Sequence, residues 1–178
     1  ALYASKNKFV IYNQSYNSTT GADHANGRDK IDRYYGPEST ASMQTQLLTE
    51  LAANHYDYTF VHYADTDDAG HGSGWGSPAW FNAPATIDGY LGQVFALIED
   101  DPVLAEETAI VLSADHGGSG TGHPTATNAA NYTIPFFVWG AGVGQGDLYA
   151  MNADTRANPG TSRIAYGVPG QPIRNGDG

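Results

Sequence analysis

Short β-branched segments alternate with amphipathic helices along this chain, and that alternation restricts its fold more than any other feature. Residues 58–63, 108–112 and 134–139 are rich in β-branched and aromatic side chains and predict strands, and 9–12 predicts a weaker fourth. Apolar residues recur at helical spacing after Ser39 or Thr40 and again after Pro84. These stripes consist of Met43, Leu47, Leu48 and Leu51, and of Ile87, Leu91, Val94, Phe95 and Ile98. Such an alternation is typical of the α/β class, in which helices flank a mostly parallel sheet.

The composition excludes several classes of protein. With 8 basic and 19 acidic residues the net charge is −11, which argues against a nucleic-acid scaffold held through phosphates. The chain has no apolar run of about 18 residues, so no membrane span is predicted. Because the chain has no cysteine, any bound metal has to be held by histidine and carboxylate.

No repeat and no linker divide the chain, so we expect a single domain over residues 1–178. The segments 13–36 and 140–178 are polar or rich in Gly, Pro and Asn, and predict surface loops. Neither end shows a starting or closing element, and we therefore expect the domain to be incomplete.

Two groups of aspartate and histidine directly follow predicted strands. Asp67 and His71 stand four residues apart after strand 58–63. Asp115 and His116 follow strand 108–112, and the glycines behind them allow the backbone to bring His123 back. Because parallel strands end at one edge of a sheet, the two groups are expected to meet there. Carboxylate and imidazole are ligands of Zn²⁺, with Mn²⁺ and Fe as competitors, and five candidate ligands suggest two ions.

Each group alone has an ordinary structural explanation. Asp67 and His71 could form a turn cap or a surface pair, Asp115 could cap a helix, and His123 could be a solvated loop residue. The occurrence of both groups after strands favours metal binding.

The neighbouring acidic residues Asp65 and Asp68 flank Asp67. They either raise the cation affinity and orient the imidazoles, or simply cap the turn.

These motifs resemble those of the alkaline phosphatase superfamily, nearest to its nucleotide pyrophosphatase/phosphodiesterase branch. The matching motifs are Asp67-x-x-Gly70-His71, Asp115-His116-Gly117, Gly122-His123 and the strand segment 132–140. The resemblance covers roughly residues 1–178 and implies an alkaline phosphatase-like domain that hydrolyses phosphate mono- or diesters. It also implies two divalent ions, zinc in the first place, with manganese, iron or calcium as alternatives.

The resemblance also implies a role for each ligand. Asp67, His71 and His123 would hold the ion that takes the leaving oxygen and later activates water, and Asp115 and His116 would hold the other ion. Relatives complete the second ion with a further Asp and a Ser or Thr nucleophile, both upstream of anything that resembles Ala1. We therefore expect the catalytic nucleophile to lie outside this chain, and the chain alone to be inactive. The chain has no histidine after His123, which favours His123 as the third ligand.

Two lysines stand where related sulfatases carry a lysine that touches the transferred oxyanion. Lys6 or Lys8 would then bind phosphate, and the alternative is a solvated lysine pair beside a strand. His24, His55 and His62 are far from these motifs, and we interpret them as structural or solvated.

Other functions stay open at this point. A sulfatase or a phosphonate hydrolase shares the fold, as does a phosphoryl mutase. A non-catalytic module could instead hold Ca²⁺ in its acidic loops and bind sugars on Trp75 and Trp80, although calcium prefers shells made only of oxygen. The resemblance implies a small phosphate-ester substrate, and it favours an extracytoplasmic location, periplasmic or secreted.

Overall fold

A small parallel sheet lies at the centre of the computed structural model, which describes residues 1–13, 31–125 and 127–155. Its strands are β1 (Leu2–Ala4), β2 (Tyr34–Tyr35) and β3 (Phe60–His62). They run in the order β2-β1-β3, with Leu2 opposite both Tyr34 and Phe60. Every residue of β1 is buried, as in the middle strand of a parallel sheet that is covered on both faces.

Two long helices flank the sheet. Helix α2 spans Thr40–Ala53 and α4 spans Pro78–Asp100. The Ser39 hydroxyl caps α2 by accepting from the Ser42 N–H, so this helix begins where the sequence predicts. Helix α4 begins well before the predicted start at Pro84, because Ser77 caps it and Pro78 occupies its first turn. Pro84 lies inside the helix.

The core is formed where the predicted apolar stripes of both helices meet strand β1. Tyr3 and Met43 are completely buried, and Ile98 is nearly so. The other buried members of this cluster are Leu47, Leu51, Val94 and Leu104. Leu104 belongs to α5 (Pro102–Glu107), a short helix that Asp101 caps between α4 and the next strand. The fold class is therefore α/β, with a parallel sheet flanked by helices.

The remaining two strands correct one expectation about the sheet. Strands β4 (Ala109–Ser113) and β5 (Phe136–Gly140) form where the sequence predicts strands, yet they pair with each other in antiparallel fashion. Within its described residues, their connection contains the short helix α6 (Ala129–Tyr132) instead of a crossover helix along the sheet, so the chain returns in the opposite direction. The second Asp/His group therefore follows a strand outside the parallel sheet.

The predicted strand over 9–12 is wrong. A 3₁₀ turn at Asn7–Phe9 leads into the short helix α1 (Val10–Asn13). Phe9 is buried there, whereas Ile11 and Tyr12 are largely exposed, so a single apolar anchor is too little to hold a strand in the sheet.

The predicted surface loops lie partly outside the described residues, as does His24. Within the described part, the first loop contributes β2 to the sheet edge, and the second contributes the helical turn α7 (Leu148–Met151). Across the described ranges, no helix has the length and apolar character that crossing a lipid bilayer requires.

Candidate metal centre

Helix α3 (Asp65–Ser73) presents the first Asp/His group. It starts directly after β3, and its first turn carries three aspartates, a placement that the helix dipole favours. Asp67 and His71 lie one turn apart on the same face, with 3.3 Å between Asp67 Oδ1 and His71 Nε2. The i,i+4 spacing in the sequence thus becomes a direct contact.

The loop after β4 presents the second group. A tight turn joins Ser119 and Gly122 through a pair of backbone hydrogen bonds of 2.9 and 3.2 Å, and Gly120 takes a positive φ of 59° in it. This turn returns the chain so that His123 stacks on His116, with 3.7 Å between the ring centroids and 21° between the planes.

The two groups converge on one oxygen atom, Asp67 Oδ1. Besides His71, the Nε2 atoms of His123 and His116 lie 3.8 and 3.9 Å from it. One ligand atom each from Asp67, His71 and His123 can be chosen so that all three lie within 4.8 Å of one another. Asp67 Oδ1 is buried and accepts no hydrogen bond within the described part of the chain. A buried carboxylate oxygen without a donor is costly, and a bound cation would satisfy it, so these residues fit a metal ion.

Two of the imidazoles are oriented by backbone carbonyls. His71 Nδ1 lies 2.9 Å from the Thr121 carbonyl oxygen, and His116 Nδ1 lies 2.9 Å from that of Gly117. Since a carbonyl only accepts, each Nδ1 carries a proton, and in the neutral ring each Nε2 then turns a lone pair toward the cluster. Both rings are therefore held in the tautomer that ligates a metal.

Asp115 lies at the side of this cluster. Its carboxylate is 59% exposed, and its Oδ2 is 3.7 Å from His116 Nε2 and 3.7 Å from Lys8 Nζ. Asp115 and His116 together offer one carboxylate and one imidazole, so a second ion held by them would need further ligands.

Lys6 lies against the acidic turn of α3. Its ammonium donates to Asp67 Oδ2 at 3.1 Å and to Asp68 Oδ1 at 2.6 Å. The hydrogen bond to Asp68 raises the pKa of Lys6. Burial raises the pKa of the Asp67 carboxyl, but the hydrogen bond from Lys6 and the positive charges around the carboxyl together lower this pKa below its usual value. Both groups are thus charged at neutral pH, and Asp67 is a carboxylate, as a metal ligand must be.

The neighbouring acidic residues do not orient the imidazoles. Asp68 pairs with Lys6, and Asp65 accepts a hydrogen bond from the Thr40 hydroxyl at the start of α2. The backbone carbonyls of Thr121 and Gly117 orient the rings instead, and the sequence carries no signal for this because carbonyls are common to all residues.

The other histidines in the described residues have partners outside the cluster. His55 pairs with Asp101 at 3.2 Å. His62 packs on the Phe9 ring with 4.4 Å between centroids, and burial lowers its pKa.

The two tryptophans considered for sugar stacking make different contacts. Trp80 packs on Phe81 in α4, whereas Trp75 touches the rings of His71 and His123.

The fold and the cluster together define an α/β protein with a group of Asp and His side chains that could hold a metal ion beyond the carboxyl end of its parallel sheet. The chain belongs to the type I phosphodiesterase / nucleotide pyrophosphatase family, whose model matches residues 6–152. This membership confirms the resemblance to the alkaline phosphatase superfamily.

Two curated proteins are similar to the chain. Both are 2,3-bisphosphoglycerate-independent phosphoglycerate mutases of Chloroflexus aurantiacus, from strains J-10-fl and Y-400-fl. Each is 31% identical over 117 residues, which cover 61% of this chain and 20% of the relative. The chain thus spans about a fifth of the length of the curated relatives it matches. No solved structure matches it.

Proposed function

We propose that this chain supplies the metal ligands of a phosphoryl-transfer centre that hydrolyses small phosphate mono- or diesters. The observation that carries the proposal is the buried, unpartnered Oδ1 of Asp67, which three imidazole Nε2 atoms surround within 3.9 Å. Membership of a phosphodiesterase family supports it independently.

Each ligand has a role in this proposal. Asp67, His71 and His123 hold one ion, and Asp115 and His116 contribute to a second. Two bound ions neutralise the charge of a phosphoryl group and align its attacking and leaving oxygens. The Ser or Thr nucleophile, and the remaining ligand of the second ion, come from outside these 178 residues.

The two lysines differ in their reach toward the reacting phosphate. Lys6 lies 3.1 Å from Asp67 Oδ2, so its ammonium can neutralise a phosphoryl oxygen beside the first ion. Lys8 lies 3.7 Å from the exposed carboxylate of Asp115 and over the Phe9 ring, 5.4 Å from its centroid, so its contacts lie away from Asp67. We therefore assign the phosphate contact to Lys6.

The donor set favours zinc. Imidazole nitrogen with carboxylate oxygen is a typical Zn²⁺ set, Mn²⁺ is the alternative, and Ca²⁺ prefers shells made only of oxygen. The same imidazoles argue against a calcium-dependent sugar-binding module.

The two similar mutases support a second candidate reaction, in which the phosphoryl group passes to another hydroxyl instead of to water. Hydrolysis in ¹⁸O-labelled water distinguishes the two reactions. A hydrolase puts the label into the phosphoryl product, which is phosphate from a monoester and a phosphate monoester from a diester, whereas a mutase returns an unlabelled phosphate ester.

Metal retention by the 178-residue chain tests the proposed site. After loading with Zn²⁺ and dialysis, the wild type should retain zinc, and His71→Ala should retain less because one of three ligands of the first ion is lost. His55→Ala is the matched control, since His55 pairs with Asp101 outside the cluster, and it should retain as much zinc as the wild type. Equal retention by His71→Ala and the wild type would contradict the site.

Activity is the second test, and it uses a polypeptide that carries this chain together with its nucleophile. We expect zinc-dependent cleavage of a chromogenic phosphodiester, and loss of that cleavage in Asp115→Ala. Cleavage that withstands chelation would contradict the proposed reaction.

A further inference from the structure

Trp75 connects the two segments that carry the metal ligands. It follows α3, and its backbone N–H donates to the Gly120 carbonyl at 2.8 Å in the loop that leads to His123. Its indole meets the His71 ring edge-on, with 5.2 Å between centroids and 83° between planes. It meets the His123 ring in the same manner, at 5.8 Å and 77°. One side chain therefore contacts both imidazoles of the three-residue cluster.

Two glycines make room for the indole. A Cβ atom on Gly118 would lie 2.1 Å from Trp75 Cε2, and a Cβ on Gly70 would lie 2.7 Å from the same ring system. Neither glycine has a positive φ, so backbone conformation does not require glycine at these positions. Glycine is required because a larger side chain would collide with the indole. Trp75 is thus enclosed by helix α3 on one side and by the loop after β4 on the other.

We propose that Trp75 is a positioning residue for the metal centre, which fixes the separation between His71 and His123. This inference rests on the proposed function, because it requires that the cluster binds a divalent cation. His71 belongs to a helix and His123 to a glycine-rich loop. Besides the indole, the two segments are joined by the His71–Thr121 and Trp75–Gly120 hydrogen bonds, by the contact of the two rings and by their shared neighbour Asp67 Oδ1. The indole is the side chain that packs on both rings at once.

The physical basis is preorganisation. A cation that binds loosely held ligands must order them, and this ordering reduces affinity. Edge-to-face aromatic contacts fix ring orientation, so the indole holds both imidazoles close to their ligating geometry before the ion arrives. Residues that orient metal ligands typically change metal affinity by about 10- to 100-fold when they are removed.

Zn²⁺ titration of the full chain, followed by calorimetry, tests this inference. We expect Trp75→Ala to bind Zn²⁺ about 10- to 100-fold more weakly than the wild type. The matched control is Trp80→Phe, because Trp80 contacts Phe81 in α4, and it should bind as the wild type does. If Trp75→Ala binds Zn²⁺ as tightly as the wild type, the inference is overturned while the proposed function stands. If the wild type binds no Zn²⁺, both are overturned.

Tryptophan fluorescence tests whether the indole of Trp75 lies beside the bound ion, as the inference requires. Zn²⁺ should change the emission of the wild type and of Trp80→Phe, because the indole of Trp75 touches two ligands. The change should disappear in Trp75→Phe. Retention of the full change in Trp75→Phe would overturn the inference.

A double-mutant cycle with Gly118→Ala covers the case in which Trp75→Ala folds poorly. The added methyl group collides with the indole, so Gly118→Ala alone should weaken Zn²⁺ binding. In a chain that already carries Trp75→Ala, Gly118→Ala should change Zn²⁺ affinity little. If circular dichroism shows that Trp75→Ala does not fold, Trp75→Leu replaces it as the background. Equal losses in both backgrounds would show that Gly118 does not act through Trp75, and would overturn the inference.

Discussion

Replacing Asp67 with asparagine separates the metal-binding role of this residue from its structural role. The change keeps the shape of the side chain and removes its charge. In the metal-free chain Asp67 pairs with Lys6, and the two side chains are 26% and 30% exposed. A pair with this exposure contributes at most about 1 kcal/mol to the free energy of unfolding. We therefore expect Asp67→Asn to be nearly as stable as the wild type in the presence of a chelator.

The effect should become large when Zn²⁺ is present. At a free metal concentration 1,000 times the Kd, a ligand stabilises the folded state by about 4 kcal/mol. For a chain of this size, each kcal/mol raises the Tm by about 2–4 °C, so zinc should raise the Tm of the wild type by about 8–16 °C. Loss of the central carboxylate should lower the affinity by about 100-fold, which removes about 2.7 kcal/mol of the metal-dependent stabilisation. The zinc-induced rise in Asp67→Asn should then be about 3–6 °C.

Differential scanning fluorimetry with and without Zn²⁺ measures both quantities. Asp68→Asn is the matched control, because Asp68 also pairs with Lys6 but lies outside the cluster around Asp67 Oδ1. It should keep the full zinc-induced rise. The reasoning is refuted if Asp67→Asn shows the rise of the wild type, or if Asp68→Asn loses as much of it as Asp67→Asn does.

Two further predictions concern stability and the loop. Burial raises the pKa of the Glu50 carboxyl, but the hydrogen bond from Arg33 and those from its other partners lower it below its usual value. Glu50→Gln should therefore lower the free energy of unfolding by about 2 kcal/mol at neutral pH, as measured by urea unfolding. The difference between the variant and the wild type should shrink as the pH falls through the lowered pKa, because protonated Glu50 has also lost its charge. A difference that grows in acid would contradict this interpretation. Gly117→Ala would place a Cβ atom 2.1 Å from the Ala130 carbonyl oxygen, so it should cost about 1–3 kcal/mol and weaken Zn²⁺ binding. Gly92→Ala in α4 is the control, because a Cβ atom at Gly92 would have no atom within 4 Å, and this variant should be as stable as the wild type or more stable. If Gly117→Ala were as stable as Gly92→Ala, the packing argument would be refuted.

Local signals in the sequence predicted the two long helices and the positions of the later strands, whereas the shorter helices such as α3 and α5 were not predicted. Ser39 starts α2 as expected, because a cap followed by an apolar stripe is a local signal. The start of α4 was missed, since Pro84 looked like a first-turn proline while the true cap, Ser77, stands seven residues earlier. The antiparallel pairing of β4 with β5 was missed because pairing direction depends on the path of the connection, which residue type does not encode.

The side chains of His71, His116 and His123 meet at Asp67 Oδ1, and Asp115 lies beside His116, even though β4 lies outside the parallel sheet. The candidate ligands could be chosen from residue type and spacing alone, because Asp and His are the residues that bind metals in a chain without cysteine. The pairing of the strands determines only where the two segments lie. Trp75 and the Thr121 carbonyl could not be found in this way, because the contact of Trp75 with His123 and that of Thr121 with His71 join parts of the chain that meet only after folding. The two glycines beside Trp75 were a signal, but glycine is common in this chain, with 22 residues.

X-ray absorption at the zinc edge, measured on the Zn²⁺-loaded chain, tests the metal centre most directly. We expect imidazole scattering, with ligands at about 2.0–2.2 Å made only of nitrogen and oxygen. The imidazole contribution per zinc should fall in His71→Ala. A shell of oxygen atoms alone, or one that is unchanged in His71→Ala, would contradict the claim that the histidines and Asp67 hold the ion.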